Sequence, residues 1–125
     1  MTYALIVESK QPLMDRLMDF VEKLDAEIGV TEVLLFGSTA KGERHESSDV
    51  DLIVVSEGFE GMPQPKRLGF LQHRWRYRED LEAFAYTPSE FKIVEDRVLM
   101  RKILAYAIDL CRSPRSFFGF FGGVK

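Results

Sequence analysis

Two aspartates separated by one residue, Asp49 and Asp51, are the side chains whose spacing most clearly suggests chemistry. Asp49 immediately precedes the run from Val50 to Val55, and Asp51 is its second residue. Apart from Asp51 the run is apolar and rich in β-branched residues, which is typical of a buried strand. Residues i and i+2 of a strand point to the same face, so the two carboxylates should lie side by side. Their repulsion costs free energy unless a cation offsets it, and Mg²⁺ prefers oxygen ligands. The pair therefore predicts a magnesium site of the two-ion kind used in phosphoryl transfer.

A second short motif, Gly37-Ser38, follows the apolar run Val33 to Phe36 and predicts a phosphate-binding turn. Glycine lets the backbone approach a ligand closely. A helical turn from Ser38 to Lys41 would add free N–H groups and a partial positive charge. Alone, this dipeptide usually marks a plain turn, just as two spaced aspartates usually mark a solvated strand edge. Together, on neighbouring strands, the two motifs predict binding of a nucleoside triphosphate.

The rest of the hydrophobic pattern predicts the elements that must position these motifs. We expect an amphipathic helix from Leu13 to Ile28, a helix from Lys66 to Tyr77, a third strand from Leu81 to Tyr86, and a helix in one or two pieces from Thr87 to about Leu110. These elements predict an α+β fold, a small mixed sheet of three or more strands packed by helices on one side. The loop between the first two strands, about a dozen residues, suits an antiparallel return or a tight crossover.

Composition sets the broad class of protein. The 125 residues suffice for one domain, 1–125, and the net charge of −3 argues against a protein that coats nucleic acid, although a nucleic acid acceptor is not excluded. A single cysteine, Cys111, cannot form an internal disulfide, which favours the cytoplasm. No run approaches the roughly 20 apolar residues of a membrane-spanning helix, so we expect no membrane contact.

Residues 37–42 (GSTAKG) and 48–52 (SDVDL) resemble the signature of the minimal nucleotidyltransferases of prokaryotes, small members of the DNA polymerase beta superfamily. The resemblance implies the polymerase-beta-like fold. It also implies that Asp49 and Asp51 hold two Mg²⁺ ions, and that Gly37 and Ser38 bind the β and γ phosphates of ATP or another nucleoside triphosphate.

Two further residues of the signature are candidate nucleotide contacts, Lys41 and Ser48. Lys41 lies at a position where the family commonly has arginine. Lysine keeps the positive charge of arginine but lacks its forked donor geometry. The family also implies a third carboxylate on a later strand. Alignment of the strand end at Tyr86 places Glu82 there, where aspartate is usual, and Asp80 is the rival on the same face. In the family this carboxylate binds the second metal ion and helps to deprotonate the acceptor hydroxyl.

The resemblance implies an enzyme that transfers a nucleoside monophosphate, AMP from ATP, to an acceptor hydroxyl. Many relatives of this size resemble antitoxins that act on a tyrosine of a HEPN-type toxin. Two alternatives stay open: a degenerate module that binds nucleotide or a partner without turnover, because Glu82 fails to complete the metal site, and a specificity subunit whose acceptor surface belongs to another chain. The apolar tail Phe117 to Phe121 predicts a homo-oligomer or docking on a partner.

Overall fold

The computed structural model describes residues 13–43 and 49–111, and it confirms the α+β class with a mixed sheet. Four strands form this sheet in the order β3-β2-β1-β4, and their bounds are β1 (Glu32–Phe36), β2 (Val50–Val55), β3 (Leu81–Tyr86) and β4 (Ile108–Asp109). Strand β1 pairs antiparallel with β2 and with β4, whereas β2 pairs parallel with β3. The connection from β1 to β2 is therefore the antiparallel return, one of the two alternatives that the sequence left open.

Within the described residues, five α-helices and one 3-10 turn surround the sheet. In chain order they are α1 (Leu13–Ile28), α2 (Gly37–Lys41), the 3-10 turn (Glu57–Phe59), α3 (Gln64–Arg74), α4 (Pro88–Val94) and α5 (Val98–Leu104). None of them is both long and apolar enough to cross a membrane. Helix α3 begins and ends earlier than the sequence predicts, and Trp75 follows it in an extended conformation.

Helices cover both faces of the sheet, which corrects the expectation of helices on one side. On one face, Leu17 and Leu24 of α1 pack with Leu52 of β2 in the larger core cluster. On the other face, Ile53 of β2 packs with a smaller cluster that includes Phe91 of α4 together with Met100 and Ile103 of α5. Alternation along β2 puts Asp51 on this second face, beyond the edge of the smaller core.

The predicted helix from Thr87 to about Leu110 forms in two pieces, one of the two forms expected, but it ends at Leu104 and the prediction is wrong beyond that residue. The chain turns after Val94, and Leu99, in the first turn of α5, is 68% exposed. After Leu104 the chain turns back and adds β4 to the free edge of β1, where the Leu110 N–H donates to the Val33 carbonyl at 2.8 Å. Two paired residues are too few to show a strand period, so the sequence carried no signal for β4.

Side chains of α3 hold the edge strand β3 in place. The amides of Gln72 and Gln64 donate to the carbonyls of Leu81 and Ala85, each at 3.0 Å, and Arg67 donates to the Ala85 carbonyl at the same distance. These bonds satisfy outward-facing backbone oxygens that an edge strand would otherwise expose to another chain. A buried ion pair between Arg16 and Glu79 ties the approach to β3 to helix α1. Strand β3 is therefore fixed from two directions.

Thr87 and Glu90 form a capping box at the start of α4. The Glu90 N–H donates to Thr87 Oγ1 at 3.2 Å, and the Thr87 N–H donates to Glu90 Oε1 at 2.9 Å. The buried guanidinium of Arg67 donates to both carboxylate oxygens of Glu90, at 2.6 and 3.1 Å. The bond from Arg67, followed by that from the Thr87 backbone, lowers the pKa of Glu90 to about 2. Glu90 thus joins α4 to α3 at the end of β3.

We expect Glu90→Ala to lower the free energy of unfolding at pH 7 by about 1–2 kcal/mol, because Arg67 and the Thr87 N–H both lose an acceptor. The folded pKa of Glu90 lies below its ordinary value of 4.5, so this stabilisation is present above pH 4.5 and is lost as the pH falls toward 2. Urea denaturation at pH 7 and at pH 2.5 measures the difference, with the exposed Glu60→Ala as control. Equal destabilisation at both pH values would contradict this account.

Candidate active site

The three predicted carboxylates are neighbours at the place where β2 meets β3. Asp51 and Glu82 are direct partners in the parallel register of these strands, and Asp49 immediately precedes β2. Asp51 is half-buried, whereas Asp49 and Glu82 are exposed. Burial raises the pKa of Asp51, and the negative charges of Asp49 and Glu82 raise it further. The fold therefore holds Asp51 in an ionised state only at a free-energy cost.

The register between β2 and β3 distinguishes the two candidates for the third carboxylate, Asp80 and Glu82. Asp80 lies one residue before β3, where its carbonyl accepts from the Val50 N–H at 2.9 Å. Glu82 lies inside the strand opposite Asp51, and its charge is one of the two that raise the pKa of Asp51. Glu82 is therefore the β3 carboxylate that raises the pKa of Asp51. Its role as a metal ligand stays a prediction.

The backbone of Gly37 lies directly against the Asp51 carboxylate. Phe36 is the register partner of Asp51, and Gly37 opens α2 with a φ of 77°, in the left-handed region. A Cβ atom at Gly37 would overlap the Asp51 carboxylate, with the Asp51 Cγ only 3.0 Å away. Glycine alone accommodates both this conformation and this approach. The structure thus brings together the two motifs that the sequence connected only by assuming neighbouring strands.

The short helix α2 carries the other residues of the glycine-serine motif. It ends at Gly42, whose left-handed conformation lets the N–H groups of Gly42 and Glu43 donate to the Ser38 carbonyl. Ser38 is half-buried, and within residues 13–43 and 49–111 its hydroxyl has no hydrogen-bond partner. Lys41 is exposed, with its ammonium 4.8 Å from the centre of the Tyr106 ring. Ser48 lies outside the described residues, so its nucleotide contact stays a prediction.

Several residues that the sequence did not single out also border the site. The Gly37 N–H donates to the Tyr106 hydroxyl at 3.2 Å. The rings of Phe36 and Phe84 stack with their centres 5.7 Å apart, and Phe84 is 44% exposed. Tyr106 carried no detectable signal, because it was assigned to a helix, and its position depends on the unforeseen β4.

The donor chemistry of this site fits magnesium, but the described residues hold no ready-made metal centre. Carboxylate oxygens are the ligands that Mg²⁺ prefers. In the described ranges 13–43 and 49–111, no three Asp, Glu, His or Cys side chains converge closely enough to bind an ion. Asp49, Asp51 and Glu82 are neighbours that repel one another, which agrees with the raised pKa of Asp51. A cation would offset this repulsion.

The sequence matches the family model of the nucleotidyltransferase domain over residues 14–123. The chain belongs to this nucleotidyltransferase family. Its fold is similar to that of a protein from Sulfolobus solfataricus assigned as a nucleotidyltransferase, with a TM-score of 0.56 and 20% identity over 82% of this chain and 83% of that one. It is also similar to a toxin–antitoxin solved with AMP-PNP, with a TM-score of 0.50 and 16% identity over 78% of this chain and 71% of that one.

A further likeness, to BolA1 from Arabidopsis thaliana, has a TM-score of 0.49 and covers 60% of this chain, and is too slight to indicate a shared fold. No protein of curated function matches the sequence significantly. Family membership confirms the resemblance inferred from the glycine-serine and double-aspartate motifs. This nucleotidyltransferase is a transferase of nucleotidyl groups, and its family generally uses nucleoside triphosphates and divalent metal ions.

We expect Asp51→Asn to raise the melting temperature at pH 7 in metal-free buffer by about 2–4 °C, because the amide carries no charge for Asp49 and Glu82 to repel. The folded pKa of Asp51 lies above its ordinary value of 3.8, so the cost of its charge is present at neutral pH and disappears below pH 3.8. Thermal denaturation between pH 3 and pH 8 tests both points. A lower melting temperature for the variant at pH 7 would contradict them.

Gly37→Ala should cost about 3 kcal/mol of stability, against about 1 kcal/mol for Gly42→Ala. Gly42 is a matched control, because its φ of 79° is nearly the same but a Cβ atom there would meet nothing within 4 Å. The difference between the two variants therefore isolates the overlap with Asp51. Urea denaturation measures both, and equal losses would show that the Asp51 carboxylate does not confine Gly37.

Proposed function

We propose that this nucleotidyltransferase moves AMP from ATP to an acceptor hydroxyl with the help of two Mg²⁺ ions. The observation that carries the proposal is the contact between the Gly37 turn and the Asp51 carboxylate, which is flanked by two further carboxylates. A turn suited to phosphate and a set of oxygen donors suited to metal ions thus share one side of the sheet. That combination matches a metal-bound triphosphate better than either a free metal ion or a free phosphate.

Different residues bind the phosphates, the rest of the nucleotide and the metal ions. Gly37 and Ser38 hold the β and γ phosphates, the Ser38 hydroxyl serving as a donor, while Lys41 and Ser48 contact the nucleotide. Asp49, Asp51 and Glu82 hold the metal ions. When bound, the two Mg²⁺ ions would neutralise phosphate and carboxylate charge and make the α phosphorus more electrophilic. The protein contributes mainly by positioning these groups in advance.

Transfer requires one bond to form and one to break at the α phosphorus. The oxygen of the acceptor hydroxyl forms a bond to that phosphorus as the bond to the oxygen bridging the α and β phosphates breaks. Glu82 accepts the proton of the hydroxyl and later releases it to solvent, and pyrophosphate leaves with the bridging oxygen. Because Glu82 is exposed, an acceptor can reach it from solvent.

A tyrosine hydroxyl of a HEPN-type toxin is the acceptor that we propose, with this chain as the antitoxin. The likeness to a toxin–antitoxin solved with AMP-PNP supports a protein partner and an adenine nucleotide. We propose the cytoplasm as the compartment of the reaction. The apolar tail Phe117 to Phe121 lies outside the described residues and stays a candidate contact with the partner or a second copy. A nucleic acid acceptor is the alternative.

One observation favours a second function, a module that binds nucleotide without turning it over. The carboxylates of the described residues are neighbours but do not converge into a three-ligand metal site. Glutamate at position 82 is one methylene longer than the aspartate usual in the family. A module of this kind would bind ATP at the Gly37 turn yet transfer nothing.

Label transfer from ATP distinguishes the two functions. With Mg²⁺ and a candidate toxin, we expect label from [α-³²P]ATP to appear on the toxin, whereas label from [γ-³²P]ATP should not. Asp51→Ala should reduce transfer by about 10³-fold or more, since positioning and charge neutralisation are both lost. Glu82→Gln should reduce it strongly and Asp80→Asn only slightly. Transfer by Asp51→Ala at the wild-type rate would overturn the enzymatic proposal, and nucleotide binding without any transfer would favour the module.

A further inference from the structure

We propose that Tyr106 is a positioning residue of the nucleotide site, which holds the Gly37 turn in place against Asp51. The inference rests on the proposed function of this turn. Tyr106 belongs to neither signature motif, and it follows α5 in the short connection to β4. Its side chain nevertheless contacts both the first and the last residue of α2.

The sheet brings Tyr106 opposite Gly37. Strands β1 and β4 pair Leu35 with Ile108, and the same antiparallel register continued by two residues aligns Gly37 with Tyr106. At that position the Tyr106 hydroxyl accepts from the Gly37 N–H at 3.2 Å. The other side of Gly37 lies against the Asp51 carboxylate. The glycine is therefore held between a hydrogen bond and a steric boundary.

The ring of Tyr106 makes the second contact. The Lys41 ammonium lies 4.8 Å from the ring centre, within the range of a cation–π interaction. Helix α2 has five residues, far fewer than an isolated helix needs for stability, so its orientation depends on such external contacts. Tyr106 is itself anchored, since its N–H donates to the Ile103 carbonyl at 3.1 Å and Ala107 packs at the smaller core.

The hydrogen bond from the Gly37 N–H to Tyr106 also determines which groups the phosphates of the nucleotide contact. The phosphates then meet Ser38, whose hydroxyl has no partner among the described residues, while Gly37 contributes its shape and conformation. If Tyr106 positions the turn, removal of its hydroxyl weakens nucleotide binding. If the hydroxyl instead competed with a phosphate for the same N–H, its removal would strengthen binding. The direction of the change in nucleotide affinity therefore distinguishes these two roles of the Tyr106 hydroxyl.

Three variants test the proposal. Tyr106→Phe keeps the ring for Lys41 but loses the acceptor, Tyr106→Leu loses both contacts, and Tyr77→Phe is the matched control. The Tyr77 hydroxyl bonds to Asp19 at 2.7 Å, and Tyr77 packs against the larger core on the other face of the sheet. Titration with a non-hydrolysable ATP analogue and Mg²⁺ gives Kd, and label transfer gives KM and kcat.

We expect Tyr106→Phe to raise Kd and KM by about three- to tenfold, the value of one hydrogen bond, with kcat changed by less than about twofold. Tyr106→Leu should raise Kd and KM further, and Tyr77→Phe should leave them unchanged. An unchanged or a lower Kd for Tyr106→Phe would overturn the proposal. A merely structural role for Tyr106 would lower stability in both Phe variants without this difference in Kd.

Amide hydrogen exchange gives a readout that does not depend on nucleotide. The Gly37 amide should exchange at least about tenfold faster in Tyr106→Phe than in the wild type, while remaining unchanged in Tyr77→Phe. If the wild type binds no nucleotide, the proposed function fails, and the exchange rate of Gly37 still decides whether Tyr106 holds the turn. Equal exchange in the wild type and Tyr106→Phe would overturn the positioning role.

Discussion

The Asp51 carboxylate packs directly against the backbone of Gly37, and the rest of the site is arranged around this contact. It occupies the space in which a Cβ atom of Gly37 would sit, and it lies beside the negative charges of Asp49 and Glu82. Burial and like-charge repulsion of Asp51 both cost free energy in the isolated protein. Such costs are typical of functional sites, and a bound cation would offset the repulsion among the carboxylates.

The remainder of the fold maintains this arrangement. The parallel pairing of β2 with β3 aligns Glu82 with Asp51, and side chains of α3 satisfy the outer carbonyls of β3 so that the strand cannot shift. The buried pair of Arg16 and Glu79 ties the same strand to α1. On the opposite side, β4 brings Tyr106 to the Gly37 N–H. The site is thus braced at both of its edges, by α3 on one side and by the chain after α5 on the other.

Local patterns in the sequence were sufficient for the elements that carry the motifs. The bounds of β2 and β3 agree with the apolar runs, and the box from Thr87 to Glu90 begins a helix as expected, because these signals depend on neighbouring residues. Strand β4 and Tyr106 were missed, because two paired residues carry no period and depend on contact with β1. The covering of both faces was also missed, because it depends on contacts of Phe91, Met100 and Ile103 with the second face of the sheet, which are distant in sequence from β1 and β2.

Paramagnetic broadening by Mn²⁺ tests the central claim most directly, that a metal-bound triphosphate sits between the Gly37 turn and the carboxylates of β2 and β3. Substoichiometric Mn²⁺ is added with a non-hydrolysable ATP analogue, and backbone amide signals are followed by NMR. The signals of Gly37, Ser38, Asp51 and Glu82 should broaden first, and those around Tyr77 should stay sharp. Asp51→Asn should abolish the broadening. Broadening centred elsewhere, or equal broadening in Asp51→Asn, would contradict the claim.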